Sequence, residues 1–79
     1  MDDNTPNPGD TLPNGATVVI AIPHPTDPGV CYVGAKTGGF HRYATWACNV
    51  DGFDTYWGHY FKTKREMIAS LIERASVED

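Results

Sequence analysis

Apolar and polar positions change period once along this chain. Between residues 17 and 61 they form four short runs of β-branched, aromatic or alternating character, and after residue 63 they recur at helical spacing. Residues 17–22 (TVVIAI) read as a first strand that stops at Pro23, and PHPTDPG (23–29) reads as a loop closed by Asp27-Pro28-Gly29. Residues 30–35 (VCYVGA) read as a second strand, and Lys36-Thr37-Gly38-Gly39 as a reversal. A third strand is predicted over 40–50 and a fourth over 53–61, joined by Asp51-Gly52, a pair that favours a tight hairpin turn. Thr63 and Glu66 then make a T-x-x-E capping box. Met67, Ile68, Leu71, Ile72 and Ala75 fall on one helical stripe, opposite Lys64, Arg65, Ser70, Glu73 and Arg74. An isolated helix of roughly 13 residues is marginal in water, so this stripe must dock on the sheet. The predicted fold is α+β, a single small domain over 16–76, with an antiparallel sheet of about four strands arranged as a meander of hairpins and packed on one C-terminal helix.

Register then sorts the side chains. A two-residue turn at Asp51-Gly52 pairs Val50 with Phe53, Cys48 with Thr55, Trp46 with Trp57, Ala44 with His59 and Arg42 with Phe61. One face carries Trp46, Cys48, Val50, Phe53, Trp57 and Phe61, and the reversal at 36–39 adds Cys31, Val33 and Ala35, with Val18, Ile20 and Ile22 beyond them. This is the expected core, with the helix upon it. The other face carries Tyr32, Gly34, His41, Tyr43, Thr45, Ala47, Asn49, Asp54, Tyr56, Gly58 and Tyr60, and is expected to stand open. In this alignment Cys31 faces Ala44 and lies roughly 13 Å from Cys48 along the strand, so two buried free thiols are expected.

Composition narrows the class. Residues 1–15 (MDDNTPNPGDTLPNG) hold three prolines and two glycines with almost nothing apolar, and read as a flexible acidic tail ending in the Pro13-Asn14-Gly15 turn; 77–79 form a second short acidic tail. The net charge of -4 is set by those ends: between 11 and 77 there are five acids against six bases, so the folded part is near neutral. No apolar run approaches the roughly 18 residues that cross a bilayer, and the acidic start is unlike a signal peptide. The expectation is a cytoplasmic protein with no membrane contact.

Catalytic chemistry finds no foothold. The three histidines and two cysteines show neither C-x-x-C nor H-x-x-x-H spacing, so neither a metal site nor a cofactor is expected. The glycines match no phosphate-binding loop, and Asp51 and Asp54 flank a turn where acids are common. Lys62, Lys64 and Arg65 cluster at the helix start, where cations oppose the helix dipole and hint at an anionic partner.

Two resemblances appear at these residues. The run LPNGATVV (12–19), followed by hairpins and by TYWGHYF (55–61) with a helix, resembles short uncharacterised bacteriophage-encoded proteins. This implies a small accessory protein, of a class whose members often bind and inhibit a host enzyme or defence complex, as anti-CRISPR proteins do. Residues 38–75, through GGFHRYATW, the VDG turn and GHYFKTKREMIASLIERA, are similar to the arm-type DNA-binding domain of tyrosine recombinases. There a Phe-x-Thr-Lys step, here Phe61, Thr63 and Lys64, leads into the helix, and the exposed sheet face reads the major groove. The equivalent face here offers tyrosines, Asn49 and Asp54 where that family has Arg and Lys.

The functional expectation is therefore a non-enzymatic protein-binding module acting on a host protein through Tyr32, His41, Tyr43, Tyr56 and Tyr60, with Lys62, Lys64 and Arg65 beside them. Tyrosine supplies large contact area at low entropic cost. The alternatives are sheet-mediated nucleic-acid binding and a self-associating structural protein.

Overall fold

The computed structural model describes residues 6–39 and 42–76. Four strands, β1 (Thr17–Pro23), β2 (Val30–Lys36), β3 (Tyr43–Asn49) and β4 (Thr55–Phe61), form one antiparallel sheet in the order β1-β2-β3-β4, and the helix α1 (Lys64–Ser76) packs against it. The α+β meander is the fold the sequence pattern predicts. The N-cap is also where expected: the Thr63 hydroxyl accepts the Glu66 N–H at 3.2 Å.

The expected core face is a core, but α1 does not cover it. Cys31, Val33, Ala35, Ala44, Trp46 and Cys48 are buried together with Leu12, Ala16 and Val18. Part of the segment read as a tail thus supplies the cover. Its Pro13-Asn14-Gly15 sequence does more than launch β1. It reverses the chain, with the Gly15 N–H on the Leu12 carbonyl, the Leu12 N–H on the Ala16 carbonyl and the Ala16 N–H on Asn14 Oδ1. Gly15 holds φ at 92°, a value that favours glycine. Gly9 and Asp10 then exchange backbone hydrogen bonds with Val18, each 2.8 Å. The single leucine of this segment is 2% exposed. Residues 1–5 and 77–79 of the two expected tails lie outside the described residues.

The helix lies on the opposite face, the one expected to stand open. Met67 and Leu71 are both fully buried there. Gly34 leaves no room for a side chain, because Met67 Sδ occupies that space and Ile20 Cγ2 lies 3.3 Å from where a Cβ would be. Gly34, Thr45 and Ala47 are small, and small residues on adjacent strands make a trough for a helix. Their size reads equally well as an exposed surface, which is why the sequence pattern misplaced α1.

Register departs from expectation in three places. In β1 the pairing shifts between Val18 and Ile20, so Val18 stays in the core while Ile20 and Ile22, expected beside it, share the helix side with Gly34 and Tyr32. The β2–β3 link spans 37–42, so Lys36 pairs with Tyr43 and Cys31 pairs with Cys48. Both cysteines remain buried and outside any disulfide, as expected, but directly opposite one another and not far apart along the strand. The β3–β4 hairpin starts as expected, with Cys48 opposite Thr55, and then shifts between Ala47↔Tyr56 and Thr45↔His59. Trp57 and Gly58 both face Trp46 across this β-bulge. Beyond it every β4 side chain has changed face.

Candidate binding surface

The bulge reorganises the aromatic residues. Tyr60 crosses to the Trp46 side and meets that indole edge-on, with ring centroids 6.0 Å apart. Tyr32, Tyr43 and Tyr56 are half-buried on the helix side. The expected surface of four tyrosines is therefore not assembled: the helix covers one side and Tyr60 lies on the other. His41 lies outside the described residues.

What remains open is β4, one of the two edge strands. Four consecutive residues, Trp57, Gly58, His59 and Tyr60, are exposed, and Trp57 shows 74% of its surface, the largest fraction among the big apolar side chains of the described residues. Its backbone sits at φ 57°, in the left-handed region that costs a bulky L-residue roughly 1–2 kcal/mol. Two contacts hold it there. The Arg74 guanidinium reaches from the last turn of α1 to donate to the Trp57 carbonyl, while lying over the Tyr32 ring 5.9 Å from its centroid. The Tyr56 ring meets the Trp57 indole edge-on at 5.1 Å. Burial pulls the Arg74 guanidinium below the ordinary arginine value, partly offset by Tyr32. Neither Trp57 nor Arg74 was singled out in the sequence, where Trp57 reads as core and Arg74 as a solvated helix position. A glycine inside a strand pattern, here Gly58, is the signal that points to a bulge.

The charged candidates fall elsewhere. Lys62, Lys64 and Arg65 are exposed after β4 and at the start of α1, and the meander brings Lys36 and Arg42 to the same end of the sheet. Asp27, Asp51 and Asp54 occupy the loops at the opposite end. A nearly neutral body thus carries a basic end and an acidic end, which the summed charge conceals.

His24 belongs to the loop at the acidic end. Its Nδ1 accepts the N–H groups of Thr26 and Asp27 at 3.1 and 3.0 Å, and its ring meets Tyr32 at 5.4 Å, so it closes the β1–β2 turn. Among the described residues no group of three or more His, Cys, Asp or Glu side chains forms a metal-binding cluster, and no helix is long and apolar enough to cross a membrane. No family model, curated protein or solved structure matches the chain.

Proposed function

We propose that this chain is a non-enzymatic protein-binding module whose contact surface centres on Trp57, with Tyr56, His59 and Tyr60 around it. The supporting observation is the bulge. An indole 74% exposed on a backbone at φ 57° is unfavourable in two ways at once, and Arg74 is arranged to maintain it. Strained residues of this kind collect at ligand-contacting positions, and Trp, Tyr and Arg are the residues enriched at interface hot spots. This reading keeps Tyr56 and Tyr60 of the expected tyrosine face in the surface, while Tyr32 lies under the Arg74 guanidinium and Tyr43 is half-buried opposite Phe61.

The finer reading, an accessory protein inhibiting a host enzyme or defence complex, rests on the resemblance to short phage proteins. Affinity capture from host extract with wild type, Trp57→Ala and Tyr60→Ala tests both levels. A host protein retained by wild type and lost by folded variants supports the module, and its identity tests the inhibitor reading. Equal retention by all three would remove Trp57 and Tyr60 from the contact surface.

Nucleic-acid binding is the second reading, favoured by the gathering of Lys36, Arg42, Lys62, Lys64 and Arg65 at one end. Against it stand the cover of 6–16 on one sheet face, the helix on the other, and the acids at the far end. A gel-shift series with duplex and single-stranded oligonucleotides decides it: retardation that weakens steeply with salt favours it, and none at low salt dismisses it.

A further inference from the structure

Apart from the β4 surface, one arrangement carries chemistry: the two cysteines stand opposite one another on the central strands β2 and β3. Backbone bonds from Thr37 N–H to the Arg42 carbonyl and from Val50 N–H to the Gly29 carbonyl bracket this ladder. Counting by twos from either end, Cys31 and Cys48 form one of its hydrogen-bonded pairs. Such pairs hold their Cα atoms about 5.5 Å apart, inside the span a disulfide bridges. The two thiols lie on the same face of the sheet, and Cys48 donates weakly to the Asn49 carbonyl at 3.6 Å. They are the only cysteines in the chain, so neither has a competing partner within it.

We propose that Cys31 and Cys48 are a site of reversible oxidation, a cross-strand dithiol that closes to a disulfide on exchange with a small-molecule disulfide such as oxidised glutathione. One cysteine thiolate attacks a glutathione sulfur, the glutathione S–S bond breaks, and one glutathione leaves as its thiolate. The second cysteine gives its proton to solvent, attacks the protein-bound sulfur of the mixed disulfide, and releases the second glutathione. Two protein thiols are oxidised, one glutathione disulfide is reduced to two glutathiones, and the two protons released re-form their S–H groups. Hydrogen-bonded pairs keep their Cβ atoms near the wide end of the cross-strand range, about 5.5 Å, whereas a relaxed disulfide holds them within about 4.5 Å. Closure therefore draws the strands together, and the resulting strain makes the bond easy to reduce. The site is a labile switch and not a structural staple.

Access is gated. Both thiols are fully buried in the cluster that Leu12 and Ala16 complete. The bonds of Gly9 and Asp10 with Val18, and the turn bond at Leu12, attach that cover to β1. Opening of residues 6–16, with the sheet and α1 intact, is the route by which the oxidant enters.

The test is incubation of the full chain in glutathione redox buffers, acid quenching and intact-mass analysis. The expected product is monomeric, lighter by about 2 Da, without free thiols, and restored by dithiothreitol. Cys31→Ser and Cys48→Ser should each instead take up one glutathione. Leu12→Val, which loosens the cover, should speed cross-linking roughly three- to tenfold, and Leu71→Val, on the helix side, should leave the rate nearly unchanged. Stable double glutathione adducts, disulfide-linked dimers, or cross-linking only in urea would overturn the site. Equal acceleration by Leu12→Val and Leu71→Val would place the reaction in the unfolded chain and overturn it as a native device.

Discussion

Met67 Sδ occupies the space in which a side chain at Gly34 would begin, so the packing of helix on sheet at this point depends on a residue having no side chain. Gly34→Ala must displace Met67, a fully buried side chain, and overpacking of this kind costs about 1–3 kcal/mol. Met67→Ala alone leaves a cavity and costs about 2–5 kcal/mol. The two defects are complementary, so the double variant should be more stable than the sum of the singles implies, by about 1 kcal/mol or more. Urea denaturation of the four proteins measures this. Strict additivity would mean that the two residues do not meet.

Thr45 gives a prediction of opposite sign. It is fully buried on the helix side of β3, and its hydroxyl has no hydrogen-bond partner. Thr45→Val keeps the shape and removes an unsatisfied polar group, so it should stabilise the fold by about 1 kcal/mol. A loss of stability would reveal a partner for Oγ1 that the fold hides.

The local elements were legible in the sequence because their signals are local. The β-branched run at 17–22, the Thr63 cap and the helical stripe act within a few residues, and each element formed where its pattern lies. Face membership in β2 and β3 also survived, for a geometric reason. The longer 37–42 link moves the pairing by an even number of residues, so Cys31 still shares a face with Trp46 and Cys48. The bulge at Trp57–Gly58 is an odd shift, and it exchanged the faces of the β4 residues beyond it. Docking sides were not legible because both sheet faces are apolar enough to be covered. One leucine near the N-terminus, Leu12, helps determine which cover goes where.

That leucine is itself a test. If 1–15 were only a tail, Leu12→Ala would be neutral. Because Leu12 is buried against the sheet, the substitution should cost about 2–5 kcal/mol, lowering the thermal midpoint by at least several degrees. An unchanged midpoint would detach the segment from the core.

Alkaline pH should expose the burial of Cys48. Desolvation raises its thiol above the usual value, the thiol of Cys31 lowers it in part, and the nearby Asp54 raises it further. The unfolded chain therefore loses this proton first as pH rises. The contribution is whole below the ordinary thiol range, about pH 8.5, and is lost as pH climbs through the raised native value. Stability of the reduced protein should fall more steeply above about pH 8.5 in wild type than in Cys48→Ala. Parallel curves would mean that Cys48 titrates alike in both states.

Trp57 separates display from stability. Glycine accepts φ 57° without steric cost, so Trp57→Gly removes strain of roughly 1–2 kcal/mol while losing the edge-on contact with Tyr56, worth about 0.5–1.5 kcal/mol. The two nearly cancel, and the midpoint in urea should stay within about 1 kcal/mol of wild type although the largest exposed aromatic is gone. Arg74→Ala is expected to behave differently. It uncovers the Tyr32 ring and strips the Trp57 carbonyl of its donor, so it should destabilise by about 1–3 kcal/mol. A residue serving the fold would show the reverse ranking, with Trp57→Gly the costlier change. That outcome would turn Trp57 from a contact residue into a structural one and leave the proposed surface without its centre.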